Sequence, residues 1–541
     1  MRERTQLLLI AAAALITSAP ALAQSPFPIS KLVLEGDTVT DVGLVTSISN
    51  VGVTNNGDWI VEADTDNPDT DRDSVVLRNG SLFAREGDPL PSPVGSSLNT
   101  FDGISMNVNL DVGWNLFLTG PPSNQDSGIY YNFDLVIQEG DTSIAPEFGA
   151  GTVYLGFFDA KLNDTNDMVT LASVDDPTIG GTLERALVKL DLGPAGALLG
   201  ESAIVKEGDL LAGQTELVVE LGTSTHQNDI NELGQSLFFA DLDGSTATDG
   251  VIYVDDRLIA QEGSPSPVAG RNYELLSSRA MNMNNVSQVV FKANLDGTTA
   301  DDEMIVADGR ELIREGQSLP AISGFQFTSF GSSSGPVAID DYGNVLWYGD
   351  WNDPDTGLDT GLFLNDLLLV QEGVTLIDGL LVQGIGNIAE TFAISDDGQY
   401  VIFEATLEGG LEGAFLIEVD APKPVPDGDT VAGTQSTAVS NGVNIDVTWD
   451  AVTCPEDDYN LFYGPLEQVG DYAYTGAECG LGTSGQASFP APANNAFWMI
   501  AGVDAASREG AHGFDSVGRA RPAGAGGLCG VVTQLNTASC P

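Results

Sequence analysis

The chain has 541 residues and a formal net charge of −58, from 78 Asp and Glu against 20 Lys and Arg, with two His, four Cys and 63 Gly. So acidic a surface argues against nucleic acid or an anionic membrane as partner, and two histidines leave no material for a His-rich metal site. Hydrophobic content of 42% is high enough for a buried core, so an acidic disordered chain is excluded as well.

Residues 1–23 read MRERTQLLLIAAAALITSAPALA. Arg2 and Arg4 precede an apolar run from Leu7 to Ile16, and Ala21-Leu22-Ala23 forms a small-residue cleavage site. This predicts a cleaved signal peptide and a secreted chain, released outside the cell or held in the periplasm or at the cell surface. No later run of about 18 apolar residues follows, so no transmembrane segment is expected. No hydrophobic tail precedes Cys540-Pro541, so no C-terminal anchor is expected either.

From residue 31 a repeat begins. A short apolar strand ends in Glu-Gly seven times: KLVLEG, SLFAREG, DLVIQEG, SAIVKEG, RLIAQEG, ELIREG and LLLVQEG. The glutamates are Glu35, Glu86, Glu139, Glu207, Glu262, Glu315 and Glu372, spaced 51 to 68 residues apart. Each unit continues with a Gly/Ser/Pro-rich crossover, a short strand, a tight turn and a second strand such as QSLFFADL or QVVFKANL. The turns include TNNG, NELG, DDYG and SDDG, whose residues tolerate positive φ. Asn166 and Ser287 stand where Gly is missing, and the first two units lack the leading Asn. An acidic loop leads to a third strand, which turns back into the Glu-Gly strand. The runs are β-branched or aromatic and too short for helices.

Each unit is therefore a four-stranded antiparallel meander, and such units repeated about an axis make a β-propeller. The chain opens on a lone Glu-Gly strand, has six complete units, and ends the repeat with three strands finishing at GAFLIEV (413–419). The first strand then supplies the missing fourth. The fold class is all-β: a seven-bladed propeller over 24–420, closed by its N-terminal strand, with a longer third blade around 193–202.

The turn-plus-strand pattern resembles the NxxGxxxAF tandem repeats of bacterial exported and surface proteins. Its full set is present in Asn231, Gly234, Phe238 or Phe239, and Ala240, and the resemblance covers about 31–419. It implies no activity.

Residues 421–427, APKPVPD, form a Pro-rich linker. Beyond it, 428–541 carries all four cysteines: Cys454, Cys479, Cys529 and Cys540. In an exported chain an even number predicts two disulfides; nearness in sequence favours Cys454–Cys479 and Cys529–Cys540 among three pairings. NIDVTWDAV (444–452) and YNLFYG (459–464) resemble strands of a fibronectin type III-like β-sandwich, with Trp449 as its core Trp.

Four groups of residues invite a functional reading. The seven glutamates would form a carboxylate ring, but the meander puts them on the outermost strands, where a structural role serving one blade each is expected. The acidic loops between second and third strands hold Asp64, Asp66, Asp69, Asp71 and Asp73 in the first unit and Asp350, Asp353, Asp355 and Asp359 in the sixth. Alternating Asp suits a hard cation, so Ca2+ is the expected cofactor if any, although no twelve-residue calcium loop is present. Gly331-Ser332-Ser333-Ser334-Gly335 fits GxSxG but precedes a strand, not the helix a nucleophile elbow needs. His226 and His512 lie in different domains and make no triad.

The leading expectation is an exported, monomeric, non-catalytic propeller that binds a protein or glycan partner. One alternative is an extracellular carbohydrate-active or other hydrolytic enzyme using paired carboxylates at the channel mouth; another is a structural cell-surface component. An enzyme should break the blade symmetry by burying two or three acids near the axis with raised pKa. A binder should show exposed aromatics or acids on the loop face, and a structural component should self-associate.

Overall fold

The computed structural model describes residues 25–541 except 181–183, 223–226, 277–278, 323, 421–436, 441–442, 453–454, 492–494, 515–518, 522–527, 531–532 and 538–541. The signal peptide, the Pro-rich linker, His226, Cys454 and Cys540 lie outside the described residues. The chain is all-β, and no described helix is long and apolar enough to cross a membrane.

Residues 29–418 form seven antiparallel sheets in succession along the chain. The fourth is representative. Its first strand is split into Val218–Leu221 and Asn228–Ile230, both paired to Ser236–Leu242; Gly250–Val254 and Arg257–Gln261 complete it. The second and third strands are almost continuously buried, which is why these runs read as unbroken apolar stretches. Neighbouring sheets pack face to face, and their apolar residues form shared clusters. Phe239 and Ile252 of the fourth sheet, for example, pack with Met281, Phe291 and Met304 of the fifth.

The first strand, Ile29–Leu34, pairs antiparallel with Leu411–Glu418 at the end of the repeat, with Lys31 opposite Phe415 and Leu34 opposite Gly413. Val33 joins one apolar cluster with Val45, Val61, Ile402 and Ala414, so the first and last sheets share a core. The extra length of the third unit is a short 3-10 turn at Pro194–Gly196 and a long strand, Leu198–Lys206.

The Glu-Gly pairs are the joints between sheets. Each Glu N–H donates to a carbonyl at the start of its own third strand, at 2.7–3.1 Å. Each following Gly N–H donates to a carbonyl in the first strand of the next sheet, at 2.7–2.9 Å: Gly36 to Val45, Gly87 to Leu98, Gly140 to Tyr154, Gly208 to Val218, Gly263 to Tyr273, Gly316 to Phe327 and Gly373 to Val382. All seven glycines have φ between +66° and +89°, the left-handed region where a side chain is disfavoured. Several of the carboxylates cap nearby donors. Glu262 accepts from Leu276 N at 2.8 Å, Glu315 from Glu303 N at 3.1 Å and Glu372 from Thr360 Oγ1 at 2.7 Å. At Gly373 a Cβ would also collide with the Gly357 carbonyl. Gly373→Ala is expected to cost roughly 2 kcal/mol or more, read as a lower denaturation midpoint at unchanged m value.

Residues 437–503 form two three-stranded sheets, one from Thr437–Ser440, Asn444–Thr448 and Gln486–Pro490, the other from Asp458–Pro465, Gly476–Glu478 and Ala496–Val503. Val447, Trp449, Tyr459, Leu461, Phe489 and Ile500 fill the space between them, with Trp449 against Tyr459 at 5.4 Å. The expected cysteine pairing is corrected: Cys479 bonds Cys529, 50 positions further along the chain. Proximity in sequence misled because the chain after Val503 folds back along this module and brings Cys529 to the Gly476–Glu478 edge. Near the C-terminus, Asn536 exchanges hydrogen bonds with Asn344 (Asn536 N to Oδ1 at 2.9 Å, Asn344 Nδ2 to Asn536 O at 2.7 Å), and Leu535 is buried with the sixth and seventh sheets. The C-terminal module is thereby docked on the repeat domain.

Candidate functional site: a carboxylate cluster among the seven turns

The tight turns between first and second strands explain the repeat signature. The fourth residue of each turn has φ between +60° and +81°: Gly57, Leu110, Asn166, Gly234, Ser287, Gly343 and Gly398. The leading residue works twice. Asn231 Oδ1 accepts from Leu233 N and Gln235 N within its own turn, while its Nδ2 donates to the Asn284 carbonyl of the next turn at 3.3 Å. Asn107, Asn163 and Asn284 reach the next turn in the same way. The second repeat does have a leading Asn, Asn107, which the sequence reading missed because Leu110 replaces the glycine.

The second residue of each turn carries the chemistry. These residues link sheet to sheet in a chain of hydrogen bonds. Val108 N donates to Asp164 Oδ1 at 2.8 Å, Asp164 N to Glu232 Oε1 at 2.9 Å, Glu232 N to Asn285 Oδ1 at 2.8 Å and Asn285 N to Asp341 Oδ1 at 2.8 Å. The seventh turn breaks the pattern. Asp341 N donates to the backbone carbonyl of Asp396 at 2.7 Å, and it is Asp397 N that reaches Asn55 Oδ1, at 3.0 Å. Asp396 is thus relieved of the linking role, and its carboxyl faces a cavity of about 210 Å3 that residues from all seven sheets line.

Asp164, Glu232 and Asp396 each place a carboxylate oxygen within 4.8 Å of the others, the one such group of metal-capable side chains among the described residues. Burial, then the neighbouring acids Asp341, Asp164 and Glu232, push Asp396 up to about 8. Burial also raises Glu232, to about 7, against the hydrogen bond from Asp164 N. Asp164 is raised by burial and opposed by the Val108 N–H. Deeper in the cavity, Asp229 accepts from Asn282 Nδ2 at 2.7 Å and Met283 N at 2.9 Å; burial lifts it to about 6. Asp229 is within electrostatic reach of Lys161, whose ammonium contacts Glu390 at 3.3 Å. Burial lowers the Lys161 pKa, but Glu390, Asp159 and Asp229 together raise it above its ordinary value. Chemically, the cluster offers in Asp396 a carboxyl that stays protonated at neutral pH beside Asp164, whose ionised form the Val108 N–H favours, the division that acid–base hydrolysis needs.

The residues singled out in the sequence lie elsewhere. The acidic loops join second to third strands, at the opposite end of the second strand from the turns. Their acids are occupied locally: Asp64 accepts from Ser47 and Ser74, Asp66 from Leu44 N, Asp69 from Asp71 N, Asp350 from Thr328, Asp353 from Asp355 N and Asp355 from Gly357 N. Asp71, Asp73 and Asp359 sit in the same loops, and no three of the nine converge as metal ligands do. Asp69, Asp353 and Asp355 cap their own turns, while Asp64, Asp66 and Asp350 accept from neighbouring strands. GSSSG runs directly into Val337–Ile339, so Ser333 is on no elbow. Lys292, buried between sheets, donates to the Phe330 and Ser332 carbonyls at 2.7 and 2.9 Å. His512 is buried in the C-terminal module between Glu509 Oε2 and Tyr474 OH.

The sequence held a signal for the true cluster. The second turn position reads Asn, Val, Asp, Glu, Asn, Asp, Asp along the seven repeats. The first and fourth positions drew attention because they repeat; the second varies and is the one that faces the cavity.

The model of a family of unknown function, DUF7453, matches residues 195–377, about a third of the chain. No curated protein matches. Among solved structures, similarity is found to an alpha-L-arabinanase from Penicillium chrysogenum complexed with arabinobiose, at 12% identity and TM-score 0.27, covering 73% of this chain and 99% of that one. A gluconolactonase from Xanthomonas campestris matches at 10% identity and TM-score 0.25, covering 74% and 98%. A puromycin hydrolase matches at 8% identity and TM-score 0.34, with 71% of this chain on 52% of that one. The likeness is one of propeller-like architecture alone. The expectation of a non-catalytic binding protein is corrected here on this chain's own residues: they break the turn symmetry with a buried acid cluster of raised pKa, the feature expected of the enzyme alternative.

Proposed function

We propose that the chain is a hydrolase whose reaction takes place at Asp164, Glu232 and Asp396, in the middle of a closed seven-bladed propeller. The hydrogen-bond chain running through all seven turns and the pairing of Ile29–Leu34 with the last sheet support the closed ring. The observation that carries the function is the Asp396 carboxyl, freed from the linking role and raised to about 8 beside the carboxyl groups of Asp164 and Glu232. Asp396 is the general acid, protonated at neutral pH. Asp164, aligned by the Val108 N–H, is the carboxylate that attacks or stabilises the reacting carbon. Glu232 holds Asp164 through its backbone N–H.

The spacing favours glycoside hydrolysis with retained configuration, because retaining pairs stand about 5–5.5 Å apart and inverting pairs roughly 6.5–9.5 Å. The test is incubation with a panel of plant and microbial polysaccharides, following reducing ends and reading the product anomer by NMR. Release of a retained anomer is expected. No reducing ends from any polysaccharide, or release unchanged in Asp396→Asn, defeats the reading.

The same three oxygens favour a second reading, a divalent cation held as a reaction or structural centre. A rise in melting temperature with millimolar Ca2+ that disappears in Asp396→Asn supports it; no rise removes it. We also read the chain as exported, on its charged start, apolar run and cleavage site, and as a member of the bacterial NxxGxxxAF-type repeat proteins. The two small sheets around Trp449 support a fibronectin type III-like sandwich.

A further inference from the structure

A second cavity, of about 450 Å3, lies where the C-terminal module meets the fifth and sixth sheets. It opens on the same face as the turns and shares Ile339 with the wall of the acid cavity. Tyr342, which follows Asp341 in the linked turns, forms part of its wall and packs against Phe514 of the module at 5.7 Å. Its volume is in the range of sites for small ligands.

Its lining discriminates among ligand classes. Asp366 Oδ1 and Asn536 Oδ1 are buried in the wall and accept no hydrogen bond among the described residues. The wall is polar elsewhere too, with Gln288, Asn365 and Gln534 in it, so an apolar occupant is disfavoured: it would desolvate groups it cannot hydrogen-bond. Arg519 pairs with Asp308 at 3.7 Å and Arg314 with Glu311 at 3.0 Å, so the lining is charge-balanced and selects neither an anion nor a cation. What remains is a neutral ligand that both donates and accepts hydrogen bonds. Tyr342 and Tyr472 add ring faces against which the C–H face of such a ligand can lie. Hydroxyls, which both donate and accept, match this mixture of acids, amides and arginines.

We propose that this cavity is a binding subsite for neutral sugar units, so that the C-terminal module extends the acid cavity into a cleft for a glycan chain. The identity of the ligand as part of a substrate rests on the hydrolase reading; the binding itself does not. The test separates them by using the full chain carrying Asp396→Asn, which removes turnover. Maltotriose, cellotriose, xylotriose and arabinotriose are titrated calorimetrically, with trigalacturonate as the charged comparison. At least one neutral trisaccharide is expected to bind with one-to-one stoichiometry. Asp366→Ala and Tyr472→Ala should each weaken it at least about tenfold with no change in melting temperature. The proposal is overturned if no neutral trisaccharide binds up to about 10 mM, if trigalacturonate alone binds, or if both cavity variants bind as the parent does. Failure of the hydrolase reading would look different: binding would persist while the native protein released no reducing ends.

Discussion

Asp396→Asn is expected to lower turnover roughly 10²–10⁴-fold, the range lost when a general acid is removed. The variant keeps the side-chain size and breaks no hydrogen bond, because the Asp396 carboxyl makes none among the described residues and the Asp341 N–H is received by its backbone carbonyl. Folding should therefore be unaffected, and the loss should fall on kcat, not on KM. Leaving groups that need no protonation, such as a dinitrophenyl glycoside, should recover much of the rate. Asp69→Asn, in an acidic loop at the far end of the second strand, should leave turnover unchanged. Equal losses with good and poor leaving groups would show that Asp396 is not the proton donor.

The second large effect is on stability against pH. Asp396 stands at about 8, Glu232, Glu62 and Glu404 at about 7 and Asp229 at about 6, in each case chiefly through burial. A carboxyl raised in the folded state holds a proton that the unfolded chain releases. Between the unfolded value near 4 and the folded values of 6–8, the native protein binds more protons, so stability falls as pH rises. The melting temperature should drop by roughly 5 °C or more from pH 5 to pH 8. Self-repulsion of a chain with net charge −58 acts in the same direction but is screened by salt, whereas desolvation of the cavity acids is not. The slope should therefore survive in about 0.5 M NaCl. It should flatten in Asp396→Asn, whose amide cannot ionise, and that variant should melt higher than the parent at pH 8. A melting temperature that is flat or rises from pH 5 to 8 in salt would contradict the raised acids.

The acid cluster also shows why its function escaped a reading of repeats. Repetition marks residues that every unit needs: Glu-Gly, which joins one sheet to the next, and the first and fourth turn positions, which shape the turn and bridge to its neighbour. A reaction needs a site that occurs once. Asp164, Glu232 and Asp396 come from three different repeats, the first two within ordinary turns and the third in the turn that departs from the linking pattern. Their chemistry arises only when sheets far apart in sequence face one cavity. The acidic loops stand apart from this cluster, and Asp69, Asp353 and Asp355 in them cap their own backbone, as Asp residues close in sequence commonly do.

The amino-acid sequence by itself determined the all-β class, the length and order of the repeating meander, the pairing of the first strand with the last unit and the start of a separate Trp-centred module. These follow from local chemistry: β-branched runs of strand length, turn residues that accept positive φ, and an unpaired strand that must find an edge. Only the tertiary structure decided which acids meet, which cysteines join and what lies between the module and the sheets. Those depend on distances between residues from 50 to more than 200 positions apart, and on burial, which turns a common Asp into a carboxyl that keeps its proton at neutral pH.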